Sequence, residues 1–276
     1  MNSKRYKVED MDEFIEMVYA NGWTDGLPVF PPTEDKVADM INYTKRDPDE
    51  VIGVLSPGEG IATVEKIAIN AVMAGCLPEY MPVIITAVKS MCVPSFEILR
   101  VQATTAGPCP LAIISGPVVK KLNFNYDTGC FSGTGHRANA TIGRAIRLIL
   151  WNIGYGRPGK LAMTCMGHPG RYAYLVAERP PEAENPWEPF HVTTGLKAED
   201  SAVTMFPAVN HYQINAAIGT QTFENSMFVI KDSITHLGNF RAANPKIFVI
   251  NAQAVKLLHE AGWTKTRFRD LIIEQC

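Results

Sequence analysis

The sequence lacks almost every local signature that names a reaction. None of its six cysteines, at 76, 92, 109, 130, 165 and 276, pair as Cys-x-x-Cys, so the zinc-knuckle and thioredoxin patterns are absent. There is no His-x-His and no His-Glu-x-x-His to hold a catalytic zinc. No Gly-Lys-Ser/Thr follows a glycine loop, and GCFSGTG, 129–135, has the wrong spacing for a dinucleotide fingerprint. Apolar runs such as Met81 to Val88 fall far short of the ~20 residues a membrane span needs. Met1 to Asp12 carries no apolar stretch of a secretion signal. Charge is nearly balanced, with 26 basic and 28 acidic residues and a net −2. That balance argues against a nucleic-acid or membrane-surface partner. The expectation is a cytoplasmic protein with reduced thiols.

What remains is an ordinary globular composition, 46% hydrophobic over 276 residues. The length suits a single α/β domain over 1–276, or a division into 1–157 and 158–276. Apolar periodicity and caps predict helices at Met11–Ala20, from Thr33 through Ile41, and from Thr63 through Ala74 with Gly75 as the stop. Further helices are predicted at Glu79–Met91, Ala138–Ile153, Ser226–Leu237 and Ala252–Ala261, with a last one capped by Thr264. Strands are predicted at Val51–Leu55, Glu97–Thr104, Leu111–Ser115, Lys160–Cys165, Tyr172–Ala177, Ala202–Phe206 and Lys246–Ile250. The alternation implies an α/β fold, a mixed and mostly parallel sheet covered by helices. Its second half should be more irregular, with antiparallel strands. Gly-Trp-Thr follows a helix at both 22–24 and 262–264, an echo that shared turn chemistry explains.

The strongest functional signal is TGCFSGTGHRANATIGRAIRL, 128–148. Gly129, Gly133 and Gly135 permit positive φ and let backbone N–H groups converge. The helix behind them leaves its first N–H groups unpaired and partly positive, a ready anion site. Arg137, Thr141 and Arg144 share one helix face, while Ile142, Ala145, Ile149 and Ile153 line an apolar one. His136 and Asn139 add a titratable donor and an amide. The competing reading is a plain turn followed by solvated arginines.

Other candidates are scattered. Gln102, Thr104 and Thr105 close a predicted strand and could orient a substrate, or simply form a turn. Glu59, in the turn SPGEG, is a general acid/base candidate. Cys130, near a helix start that would lower its pKa, could act as nucleophile with His136 as base. His168 lies in the loop GHPGRY; with His191 and a carboxylate it could form a metal site, although no metal-ligand motif supports one. No cofactor is indicated.

Several stretches resemble an uncharacterised bacterial family related to, or encoded with, UGSC-type selenocysteine/cysteine proteins. They are GWTDGLPVFPPT, ATVEKIAINAVMAGCLPEYMPV, VQATT, GHRANATIGRA, GHPG, NPWEPFHV and DSAVT, spanning Gly22 to Thr204. The resemblance implies an enzyme or enzyme subunit connected with thiol or selenol chemistry. This chain has no Cys-Gly-Ser-Cys, so such a redox centre would come from a small partner protein.

Three functional expectations follow. The first is a hydrolase, lyase or transferase acting on a small carboxylate- or phosphate-bearing substrate, in a homo-oligomer. The second is the non-redox subunit of a two-component thiol/selenol complex. The third is a metal-dependent hydrolase.

Overall fold

A computed structural model describes residues 1–131, 133–215, 218, 223–235 and 245–275. The chain forms two compact units, Met1–Glu178 with Ser201–Asn210, and Arg179–Asp200 with His211–Cys276.

The first unit begins with helix α1 (Met11–Ala20), capped by Asp10, and α2 (Glu34–Thr44). Strands β1 (Val51–Leu55) and β2 (Gly60–Thr63) form an antiparallel hairpin around the Ser56–Glu59 turn. Helix α3 (Val64–Ala74) follows, capped by the Thr63 hydroxyl and closed by Gly75 at φ 87°. The next helices are α4 (Met81–Met91) and the short α5 (Ile98–Ala103). Strand β3 (Cys109–Ser115) is buried at all seven positions. After α6 (Val118–Lys121) comes the long α7 (Arg137–Asn152), then β4 (Leu175–Ala177). Strand β5 (Ala202–Ala208) completes the unit.

The sheet differs from the expected one. It has three strands in the order β4-β3-β5, parallel between β3 and β4 and antiparallel between β3 and β5. With 44% helix and 11% strand, the fold is mixed α/β with small sheets, not a mostly parallel one. Three predicted strands are corrected. Residues 98–103 are helical because ILRVQA is too short and too apolar for its period to distinguish helix from strand. Lys160–Cys165 is turns and irregular backbone with one isolated bridge at Ala162. Residues 246–250 have no regular pairing and are exposed or half-buried, so no buried strand lies there.

Helix α7 organises the core of this unit. Ile142, Ala145 and Ile149 are fully buried, and Ile153 nearly so. Gly143 lets the chain at Ala173 and Tyr174 approach to contact distance, where a Cβ would meet Tyr174 N at 3.2 Å. The segment after α1 runs along the other side of α7. Trp151 Nε1 donates to Gly22 O at 2.8 Å, Asn152 Nδ2 donates to Trp23 O at 2.8 Å, and Arg144 grips Asp25. GWTDGLP is therefore a strap laid on the helix.

The second unit is helical. It contains α8 (Phe190–Thr193), α9 (Phe223–Thr235), α10 (Ala252–Glu260) and α11 (Lys265–Gln275). The predicted helix end at 236–237 lies outside the described residues. Trp187, Ile230, Val255, Leu258, Phe268 and Ile272 form its core. The Gly-Trp-Thr echo is one helix stop used twice. Trp23 N–H donates to Val18 O at 3.0 Å, and Trp263 N–H to Leu258 O at 2.9 Å, across glycines at φ 63° and 79°.

No single helix among the described residues is long and apolar enough to cross a membrane. One bent pair, Pro78–Met91 with Pro94–Ala103, passes on composition, but most of α4 is buried in the first unit's core.

Candidate functional site

The glycine stretch has the backbone its sequence implies. Gly129, Gly133 and Gly135 stand at φ 73°, 60° and 79°. Helix α7 starts at Arg137 with no side-chain cap, and among the described residues nothing accepts from the N–H groups of residues 137–139. Gly133 lies against that first turn, where a Cβ would sit 3.2 Å from Ala140 N. The polar side chains, however, are taken up by the protein. Arg137 is exposed and donates from Nε to Gly75 O at 3.0 Å. Asn139 brackets the backbone of Asn125, accepting its N–H at 2.8 Å and donating to its carbonyl at 2.9 Å. Thr141 donates back to Arg137 O at 2.7 Å. Arg144 pairs with Asp25, whose side chain is only 2% exposed.

The three catalytic candidates are not brought together. Glu59 is exposed at φ 53° and accepts from the Ser56 hydroxyl within its own turn. His136 is half-buried, and no hydrogen bond joins it to Cys130 among the described residues. Burial pushes the Cys130 thiol up, the reverse of the activation expected at a helix start.

A different set of residues does converge, at the amino end of β3. Cys109 Sγ lies 3.4 Å from His168 Nε2. The Gly170 N–H donates to His168 Nδ1 at 3.2 Å, which leaves the ring proton on Nε2, directed at sulfur. Gly170 leaves room for this ring, because a Cβ there would meet His168 Nδ1 at 2.9 Å. Tyr174 meets the imidazole edge-on at 5.5 Å, and Phe131, from the glycine stretch, lies 6.3 Å from Tyr174. The glycine loop is thus a neighbour of this site through Phe131.

Two guanidinium groups complete the cluster. Arg171 donates from Nη2 to Pro108 O at 3.1 Å and to the Thr164 hydroxyl. Its Nε is buried with no hydrogen-bond partner among the described residues. Arg147 donates from Nη2 to Gly156 O at 3.2 Å and packs over Trp151 at 5.3 Å. No ion pair to either arginine forms among the described residues. Burial, with the charge of Arg171 beside it, brings Arg147 down to about 10. Burial drives the Cys109 thiol up to about 12 against the opposing pull of Arg171 and Arg147. Tyr174 is pushed up to about 12 by burial and by Cys109.

Three sequence candidates join this cluster beside His168. Gln102 is 1% exposed and its Oε1 has no hydrogen-bond partner among the described residues. It fits against Gly156, where a Cβ would come within 2.6 Å of Oε1. Thr105 O accepts from Cys165 N–H at 3.0 Å, and Thr104 O accepts from Thr164, so residues 104–109 are laced to 164–171. Sequence reading missed Cys109, Arg147 and Tyr174 as site residues and gave Arg171 no role. The one local clue was spacing, since Arg147 stands three residues beyond Arg144 on α7.

Among the described residues, no three His, Cys, Asp or Glu side chains are grouped to hold a metal ion. Comparisons with family models, with curated proteins and with solved structures find no match for this chain.

Proposed function

We propose that the chain is a small-molecule enzyme of hydrolase, lyase or transferase type, and that Arg147 and Arg171 hold the anionic group of its substrate beside Cys109 and His168. One observation carries this reading: two partly buried guanidinium groups stand together and, among the described residues, no carboxylate pairs with either. Buried charge is costly unless compensated, and a substrate anion supplies the compensation. His168 carries its proton on Nε2 against Cys109 sulfur, and exchanging that weak contact for a substrate atom would let it donate to developing negative charge or to a leaving group. In this reading His168 takes the acid/base part suggested for Glu59 or His136, and the glycine loop contributes a wall through Phe131.

The test is thermal stabilisation by a panel of small anions, followed by a substrate screen with any anion that binds. The intact protein should melt higher with a bound anion, because ligand that binds only the folded state stabilises it. Arg171→Met should remove that shift while keeping a cooperative melt. A panel in which no anion raises the melting temperature overturns the reading.

A further inference from the structure

We infer that the group held between Arg147 and Arg171 is a dianion of tetrahedral shape, a phosphoryl or sulfuryl group, rather than a single carboxylate. The inference rests on the anion site proposed above and narrows its substrate class.

The first argument is a count of charge. His168 accepts the Gly170 N–H at Nδ1, so its ring is neutral in this arrangement. Cys109 takes the His168 N–H at sulfur and is a buried thiol, and Tyr174 is a buried phenol. The carboxylate of Asp25 is committed to Arg144, at 3.1 Å to Nε and 2.8 Å to Nη2. Among the described residues, no neighbour in direct contact therefore compensates the two guanidinium charges. A monoanion would leave one of them unbalanced in a half-buried site, whereas a dianion balances both.

The second argument is a count of donors. Among the described residues each guanidinium gives only Nη2 to a protein acceptor, so each keeps further N–H groups, including the buried Arg171 Nε. A guanidinium presents its donors as a planar fork that matches two oxygens at once. A carboxylate has only two oxygens and fills one fork. A phosphoryl or sulfuryl group has at least three terminal oxygens, so two forks that share one oxygen are both filled.

The experiment is calorimetric titration of the intact protein with sulfate, methyl phosphate and acetate at about pH 5 and about pH 8, bracketing the phosphomonoester second ionisation near pH 6. Sulfate and methyl phosphate at the higher pH should bind at least roughly tenfold tighter than acetate. Methyl phosphate should weaken on acidification more than sulfate, which stays doubly charged and reports any change in the protein itself. Arg147→Met and Arg171→Met should each weaken sulfate by a similar factor. Acetate binding as tightly as sulfate overturns the dianion while keeping the anion site. No heat with any anion overturns both. Sulfate binding that both variants retain places the dianion elsewhere and overturns the inference without needing an enzymatic assay.

Discussion

Cys109 and His168 meet at 3.4 Å although 59 residues separate them in the chain. The contact is fixed from both sides. Pro108 O accepts from Arg171, and the Gly170 amide sets which imidazole nitrogen carries the proton.

The thiol in that contact should react slowly with alkylating agents near neutral pH, because burial holds it at about 12. The same raised pKa predicts base lability. Cys109 and Cys76 both rise from 9.0 to about 12 on folding, so between those values the folded chain keeps protons that the unfolded chain has lost. Stability from these thiols is complete below pH 9.0 and is lost as pH climbs towards 12. Urea midpoints measured across that window should fall steadily for the native chain. They should fall less steeply for Cys109→Ala or Cys76→Ala; equal slopes would mean the thiols do not titrate this way.

Asp25 and Arg144 should behave as a structural pair. Removing either partner alone leaves a charge in a place where Asp25 is only 2% exposed. Arg144→Met or Asp25→Ala should therefore cost about 3–5 kcal/mol. The double variant should recover part of the loss, and anion affinity at Arg147 and Arg171 should stay unchanged in whichever variant folds. A stable Arg144→Met protein with weakened anion binding would return Arg144 to the substrate.

Glycine replacements should separate crowding from backbone strain. A Cβ at Gly60 would sit 1.8 Å from Ile153 O, backbone that cannot swing aside. Gly60→Ala should cost about 3 kcal/mol or more, or prevent folding. Gly262, at φ 79°, has none of the described residues within 4 Å of its Cβ direction. Gly262→Ala should cost only the left-handed backbone penalty, about 1–2 kcal/mol. Denaturant melts of the two variants should rank them in that order.

His191 is wholly buried, and neither ring nitrogen has a hydrogen-bond partner among the described residues. A buried polar atom without a partner costs about 1–3 kcal/mol, so His191→Leu should be neutral or stabilising. A marked fall in melting temperature would show that the ring has a role its surroundings do not reveal.

Local structure was legible where the chemistry is local. The Thr63 cap, the Gly75 stop, the helix α10 and the core stripe of α7 follow from periodicity and capping alone. The positive φ values of Gly129, Gly133 and Gly135 were legible for the same reason. The fate of α7's arginines was not. Arg137, Arg144 and Arg147 look alike in sequence, but Gly75, Asp25 and Gly156 supply their partners, and only folding brings those partners near. The site at Cys109 is the extreme case. Four separate segments build it, and a histidine two residues before a glycine carries no mark of the cysteine it will meet.

Strand β5 belongs to the first unit, yet it is reached only after the chain has passed through residues 179–200 of the second. During synthesis the growing polypeptide must therefore hold β3 with one side unpaired until residues 202–208 leave the ribosome. An unpaired strand edge made of CPLAIIS is an aggregation hazard. A protein truncated after Glu178 would keep that hazard permanently, so the two units cannot be separated by a single cut.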